Sequence, residues 1–336
     1  MAVLFFDGCG ETYPTADIKT VWQSAATPTV VAGTGRRGGA CIAIGSSDNI
    51  TALLPNSTEL IIGSAIRPTS GPGTSHIIRL FGDNDDHVSL QFTNAGAIEA
   101  RRGVATVLAT SANAIMQLNV WTYIEFRVLF GDTAAGEVEI RANGVQVAVN
   151  LACDTKDGAT DFYNRVNWAE FTQTFDVDDV YIVDTTGSAP YNTWLGDVEI
   201  EGAVPDGVGA TSGFGTTFGS ATHYLNVDEA GSDGDTTYNQ GAAQTDTYTV
   251  GNVAAIAGGS TVLGVKAVAV VKKVDAGLSQ VQMVARPLAT DRIGLVTHTL
   301  PTDYVGVTEI WADNPEVSAP WTDATFNASE FGVKVL

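Results

Sequence analysis

The chain has 336 residues, a charged fraction of only 16% and a formal net charge of −21. That length exceeds what one compact core usually takes, so two domains are expected, and a surface this acidic repels nucleic acid and anionic lipid. The three cysteines, Cys9, Cys41 and Cys153, are too few and too far apart for a disulfide framework or a zinc site, and no apolar run approaches the roughly 20 residues of a membrane helix.

Taken in chain order, the pattern is period-two alternation bounded by turn residues, which predicts an all-β fold. Short strands are expected at 29–31, 39–44, 59–66, 76–81, 88–92 and 97–100, the spacing of a sandwich or barrel. The span 105–118 lacks a consistent helical register and is read as a pair of strands. From Trp121 to Phe130 the alternation is clean: Thr122, Ile124, Phe126, Val128 and Phe130 share a core face, while Trp121, Tyr123, Glu125, Arg127 and Leu129 share a wet one. Glu137–Ala142 alternates again, Asn143-Gly144 is a type I′ hairpin signal, and 145–149 returns. A strand at 175–183 closes the series. The Thr-Thr-Gly-Ser-Ala-Pro composition of 185–190 marks a linker, giving domains at 1–186 and 187–336. The second domain is expected to open on a strand at 194–201 and to carry long Gly/Ser/Asp-rich loops over 202–245. A long strand with a bulge at Gly264 should follow, and then strands at 278–286, 294–300, 306–311 and 330–336.

The run from Trp121 to Val149, with its Asn143-Gly144 hairpin, and the closing strand Phe175-Asp-Val-Asp-Asp-Val-Tyr-Ile-Val-Asp184 resemble concanavalin A-like domains of the lectin and laminin-G type. Phe5-Phe-Asp-Gly8, with Tyr13 and Trp22, is similar to the opening of tailed-phage virion proteins built on this sandwich. Trp194-Leu-Gly-Asp-Val198, Asn226-Val-Asp-Glu229 and Trp321 to Val333 are similar to the second half of such proteins. The resemblance implies an N-terminal jelly-roll β-sandwich, a second β-sandwich domain and a non-enzymatic structural part in a virion. It also implies other virion proteins as partners and a homo-oligomer, a trimer if the chain belongs to a fibre. The opening residues show no secretory signal, in keeping with folding in the host cytoplasm and assembly into the particle.

Few constellations carry chemistry. Gly33-Thr-Gly-Arg-Arg-Gly38 matches a dinucleotide-binding spacing, but a strand pattern follows where a helix is required, so a glycine-rich hairpin with two exposed arginines is expected. Asp83, Asp85 and Asp86 form an oxygen-rich turn that could take calcium, as could Asp176, Asp178 and Asp179 and the loop holding Asp228, Glu229, Asp233 and Asp235. Ordinary turns and solvated charge are the favoured account of each, since no EF-hand or glycine-aspartate repeat spacing is present. No cofactor is otherwise indicated. The tryptophans are expected to be mostly core or domain-junction anchors, and Trp168 is the one singled out as able to stack on a sugar instead. Asp197, Glu199 and Glu201 would line one face of a strand, the arrangement a glycan depolymerase would need, or else form a solvated face. The four histidines are scattered, and no nucleophile elbow or zinc-protease motif is present. The leading expectation is therefore a virion structural protein without enzymatic activity. A carbohydrate-binding adhesin that contacts host surface glycans comes second and a depolymerase third.

Overall fold

The computed structural model describes residues 3–23, 28–70, 75–169, 173–253 and 261–336. The described chain is almost entirely antiparallel β and divides into two compact units, one made of 1–11 with 22–200, the other of 12–21 with 201–336. The units part at Ile200, not in the 185–190 segment.

Among the described residues the first unit holds fourteen strands: β1 (Val3–Asp7), β2 (Thr29–Val31), β3 (Cys41–Ile44), β4 (Asn49–Ser57), β5 (Glu59–Pro68), β6 (Ser75–Gly82), β7 (Asp85–Phe92), β8 (Ile98–Arg102), β9 (Thr106–Thr110), β10 (Thr122–Leu129), β11 (Gly136–Ala142), β12 (Val145–Cys153), β13 (Tyr163–Ala169) and β14 (Phe175–Val183). One sheet has eight strands in the order β12-β11-β10-β5-β14-β3-β2, with β1 also on β14. The other runs β4-β13-β6-β7-β8-β9. Together they form an antiparallel β-sandwich.

The inward faces follow the alternation. Ile124, Phe126 and Val128 of β10 sit opposite Ser64, Ile62 and Leu60 of β5, all fully buried. The indole N–H of Trp168, on β13, donates across the sandwich to the Ser64 hydroxyl at 3.3 Å. Asn143 and Gly144 both have positive φ (49° and 78°), as a type I′ turn requires of its two central residues. All three cysteines are free and buried; burial pushes the Cys41 and Cys153 thiols up to about 11, so neither is a thiolate at neutral pH.

Two expectations fail here. The 105–118 span supplies one strand, β9, and then turns, because 111–116 hydrogen-bond back onto the β8 side (Ser111 N to Ile98 O, Met116 N to Gly96 O) and form no ladder of their own. The outer face of β10 is not wet throughout: Tyr123 and Glu125 are buried to 1% exposure, covered by groups described below.

In the second unit a sheet runs β15 (Pro205–Ser212), β18 (Thr245–Val250), β26 (Glu330–Val335), β20 (Gln280–Arg286) and β21 (Arg292–Ile293), with β22 (His298–Thr299) also on β20. Separate pairs join β16 (Thr216–Phe218) to β17 (Tyr238–Gln240), β19 (Val265–Val271) to β23 (Val305–Trp311), and β24 (Asp313–Asn314) to β25 (Ala319–Pro320). Val281, Met283, Leu300, Trp311, Trp321 and Phe331 are at the centre of its core. A short helix, Asp323–Asn327, is capped by a reciprocal Thr322–Thr325 box. Gly264 precedes β19, so it marks no bulge, and 194–201 forms no strand at all.

Candidate functional site

The outer face of the eight-stranded sheet carries the most organised set of polar side chains in the first unit. It starts from a local irregularity. Between Asp178 and Tyr181, β14 has one residue more than its partner β5, which spans only Ala65 to Gly63. The extra residue is accommodated at Asp179, whose φ is 48°. This bulge turns two adjacent carboxylates toward one another's surroundings and interrupts the ladder.

Beyond the bulge, the Tyr181 ring lies directly over Gly63. A Cβ there would sit 2.0 Å from the ring, so glycine alone lets the tyrosine cross β5. Its hydroxyl thereby reaches the next strand and donates to Glu125 at 2.5 Å. Two backbone amides then dock on this pair: Gly196 N donates to Glu125 at 2.8 Å, and Leu195 N donates to the Tyr181 oxygen at 3.2 Å. Ile200 N donates to Asp179 at 2.8 Å. The 191–200 segment is thus a strap across the sheet; it covers Glu125, while the Arg36 guanidinium lies over the neighbouring Tyr123 ring.

Arg36 fixes the strap's far end. Its backbone N–H donates to Asp178 at 2.7 Å and its Nε to Asp179 at 2.9 Å, while its remaining guanidinium nitrogens bind Asp197 and the Val198 carbonyl. The guanidinium carbon is 4.8 Å from the centre of the Tyr123 ring. Burial pushes the Asp178 carboxyl up to about 7, with the neighbouring Asp179 charge adding to the effect. Arg36 was expected to be an exposed hairpin arginine; its side chain is only 10% exposed, because the hairpin between β2 and β3 delivers it onto the bulge.

Where the strap begins, it leaves a cleft of about 360 Å³ lined by Glu59, Ile61, Arg127, Glu139, Thr185, Asn192, Thr193 and Trp194. Sheet register builds it: Arg127 pairs across with Ile61 on one side and Glu139 on the other, so all three project to the outer face. Arg127 donates to Glu59 from Nε at 2.6 Å and to Glu137 from Nη1 at 2.9 Å. Partial burial works against its charge, and the Glu137 and Glu59 carboxylates more than offset that, holding the guanidinium above its ordinary range. Thr185 donates to the second Glu59 oxygen at 2.7 Å. Arg141 donates to Glu139 at 2.9 Å, and its guanidinium carbon lies 4.1 Å from the centre of the Trp194 ring. The result is an aromatic wall beside carboxylates and guanidinium groups whose orientations are fixed by one another.

The residues singled out from sequence lie elsewhere. Trp168 is fully buried, edge-on to Trp22 with ring centres 5.5 Å apart, and it is a core residue out of reach of a sugar. Asp83, Asp85 and Asp86 are not brought together. Asp83 accepts from the Asn164 amide, Asp85 from Ala159 N and Thr160 N, and Asp86 is held by Arg79. The Ala159 and Thr160 donors keep the Asp85 carboxyl below the usual range. Asp197 is paired with Arg36 and Arg37, and Glu199 with Arg37 at 3.3 Å, so they form no acidic row; Glu201 is exposed in the second unit. Among the described residues no group of three or more His, Cys, Asp or Glu side chains could hold a metal ion.

Sequence reasoning placed Glu137, Glu139 and Arg141 on one face but missed the cleft they form. Arg127 is only ten residues from Glu137, on the adjoining strand, but Glu59 and Trp194 are far away in the chain; the strand order β11-β10-β5 brings in Glu59, and the strap brings in Trp194.

No family model and no curated protein matches the chain. Among solved structures it is similar to a sialidase (11% identity over 55% of this chain and 19% of that one, TM-score 0.42). It is similar too to a protein of unknown function with a galectin-like fold from Bacillus subtilis (10% identity, 55% and 96%, TM-score 0.39) and to the alginate lyase Aly36B (9% identity, 54% and 95%, TM-score 0.36). The chain spans about a fifth of the sialidase's length. The likeness is one of fold. The expectation of a protein without enzymatic activity is not upheld: two of these three neighbours are named as enzymes, and a shared fold does not decide activity.

Proposed function

We propose that the chain binds glycans in the cleft beside Trp194, as a surface component of a tailed-phage particle. The observation that carries the glycan reading is the juxtaposition of the Trp194 ring with Glu59, Arg127 and Glu139 in one open cleft. Sugars present an apolar C–H face and vicinal hydroxyls; an indole covers the first, and carboxylates and guanidinium groups, acting as oriented acceptors and donors, take the second.

The electrostatics favour neutral or amino sugars over carboxylated ones. Arg127 is committed to Glu59 and Glu137 and Arg141 to Glu139, so three carboxylates face two guanidinium groups. A sugar carboxylate would enter a site whose cations are already neutralised, on a chain of net charge −21. Calorimetric titration with a panel of neutral, amino and uronic oligosaccharides tests this. Binding of the first two classes, weakened at least about tenfold by Trp194→Ala, is the expected result. Equal affinity of the Trp194→Ala variant, or preference for the uronic series, sinks it. Reducing-end release in the same samples reads turnover.

The particle context is supported by the sequence resemblance at Phe5–Gly8, Trp194–Val198 and Trp321–Val333. Immunogold electron microscopy of particles from the source lysate tests it. Gold at a fixed position on heads or tails is the expected outcome, and bare particles with free protein overturn it.

A further inference from the structure

The chain carries 55 charged side chains, yet 103–124 and 142–153 contain none. The fold brings these two stretches to one side of the sandwich. Strand β12 is the terminal strand of the eight-stranded sheet and β9 the terminal strand of the six-stranded one. They are adjacent, with the Asn150 amide donating to the Leu108 carbonyl at 2.9 Å. Seven of the eight exposed large apolar side chains described in the first unit fall in these stretches; Leu53 is the other.

The opposite edges are protected in recognisable ways. Strand β2 has three residues. Strand β4 contains Pro55, and Gln23 pairs with Thr51 through both backbone hydrogen bonds. Short strands, proline and a covering segment are the usual means of blocking edge-to-edge association. Strand β12 has none of them. It is nine residues long and lacks charge and proline; among the described residues its only ladder is with β11, where two register shifts lie, and it exposes Val145, Val149 and Leu151.

We propose that β12 pairs antiparallel with β12 of a second copy of this chain, joining two eight-stranded sheets into one continuous sheet around a twofold axis. The partner follows from charge. Two copies of a −21 chain repel one another over most of their surface, and an approach along this uncharged edge meets the least repulsion while satisfying the free backbone groups of both strands. Val149 lies on the same outer face as Glu139, its register partner, so Val149 and Leu151 of one copy pack against those of the other beside the new ladder. Because only like charges outside the interface oppose association, salt strengthens the dimer.

Sedimentation equilibrium of the full chain across a concentration series, at low and moderate salt, tests this. A dimer that tightens with salt is expected, as is a monomeric Val149→Lys/Leu151→Lys variant with an unchanged far-ultraviolet spectrum and melting temperature. Leu53→Lys, on the protected side, should remain dimeric. A wild-type chain that stays monomeric throughout, or a dimer or trimer that survives the double lysine substitution, overturns the proposal.

Discussion

The two units reach order by different means. In the first, the interior is mainly apolar: the inward positions of β5, β10, β11 and β14 are mostly Leu, Ile, Val or Phe at essentially no exposure, with Ser64 of β5 the polar exception among them. The second has a smaller apolar cluster around Trp311, Trp321 and Phe331, and elsewhere its interior is held by buried polar groups. Asp246, fully buried, accepts from Phe214 N, the Tyr248 hydroxyl and His223 Nδ1. Asn226 bonds Ser220 through both its carbonyl and amide and bonds Asn239 as well. A stretch such as 213–240, with little apolar patterning, is ordered by hydrogen bonds that converge on two buried residues. Period-two alternation is therefore a good guide to the first unit and a poor one to the loops of the second.

Core truncation is the strongest way to test that contrast. Trp168→Ala in the first unit and Trp321→Ala in the second should each cost about 3–5 kcal/mol, read as a lowered transition in calorimetry. Asp246→Ala should cost a comparable amount, about 3–5 kcal/mol, although it removes little apolar surface, because three donors lose a buried acceptor. An effect under about 1 kcal/mol would show that the polar network contributes little to holding the second unit.

Glu125→Ala should cost about 2–4 kcal/mol, since the Tyr181 hydroxyl and Gly196 N–H lose their buried acceptor. Amide exchange at 195–198 should accelerate beyond the change in global stability; exchange that merely tracks global unfolding would mean the strap is held by other contacts.

Asp178 offers a pH test of the bulge. Its folded pKa is raised from 3.8 to about 7, so the folded state binds the proton more tightly than the unfolded chain. This group's contribution is therefore fully present below about pH 4 and is lost as pH rises toward about 7. Asp178→Asn removes the charge and keeps one acceptor oxygen, so of the two backbone donors, Arg36 N and Asp179 N, one retains its partner and the other loses it at either pH. Its effect on stability should be more favourable at pH 8 than at pH 4 by about 1–3 kcal/mol. Denaturant melts at the two pH values decide it, and equal effects at both would contradict the assignment. The smallest effect belongs to Thr322→Ala, which opens the capping box of the short helix and should cost about 1 kcal/mol in the second unit alone.

By itself the sequence determined the all-β class, most strands of the first unit, the hairpin at Asn143-Gly144 and the core face of β10. These features depend on nearest neighbours along the chain: side-chain alternation, turn propensity and apolar content. It could not determine what covers the other face of β10. Glu125 and Tyr123 read as wet because an alternating strand looks the same whether water, a strap or a guanidinium lies above it. It also could not show that Arg36 would be drawn onto Asp179, that Gly63 would let Tyr181 through to Glu125, or that Glu59, Arg127, Glu139 and Trp194 would share a cleft. Those arrangements join residues up to about 140 positions apart, and strand order and register alone bring them together. Trp168 makes the same point in reverse. Its neighbours in sequence are polar enough to suggest a surface, and only the sandwich places it between Trp22 and Ser64.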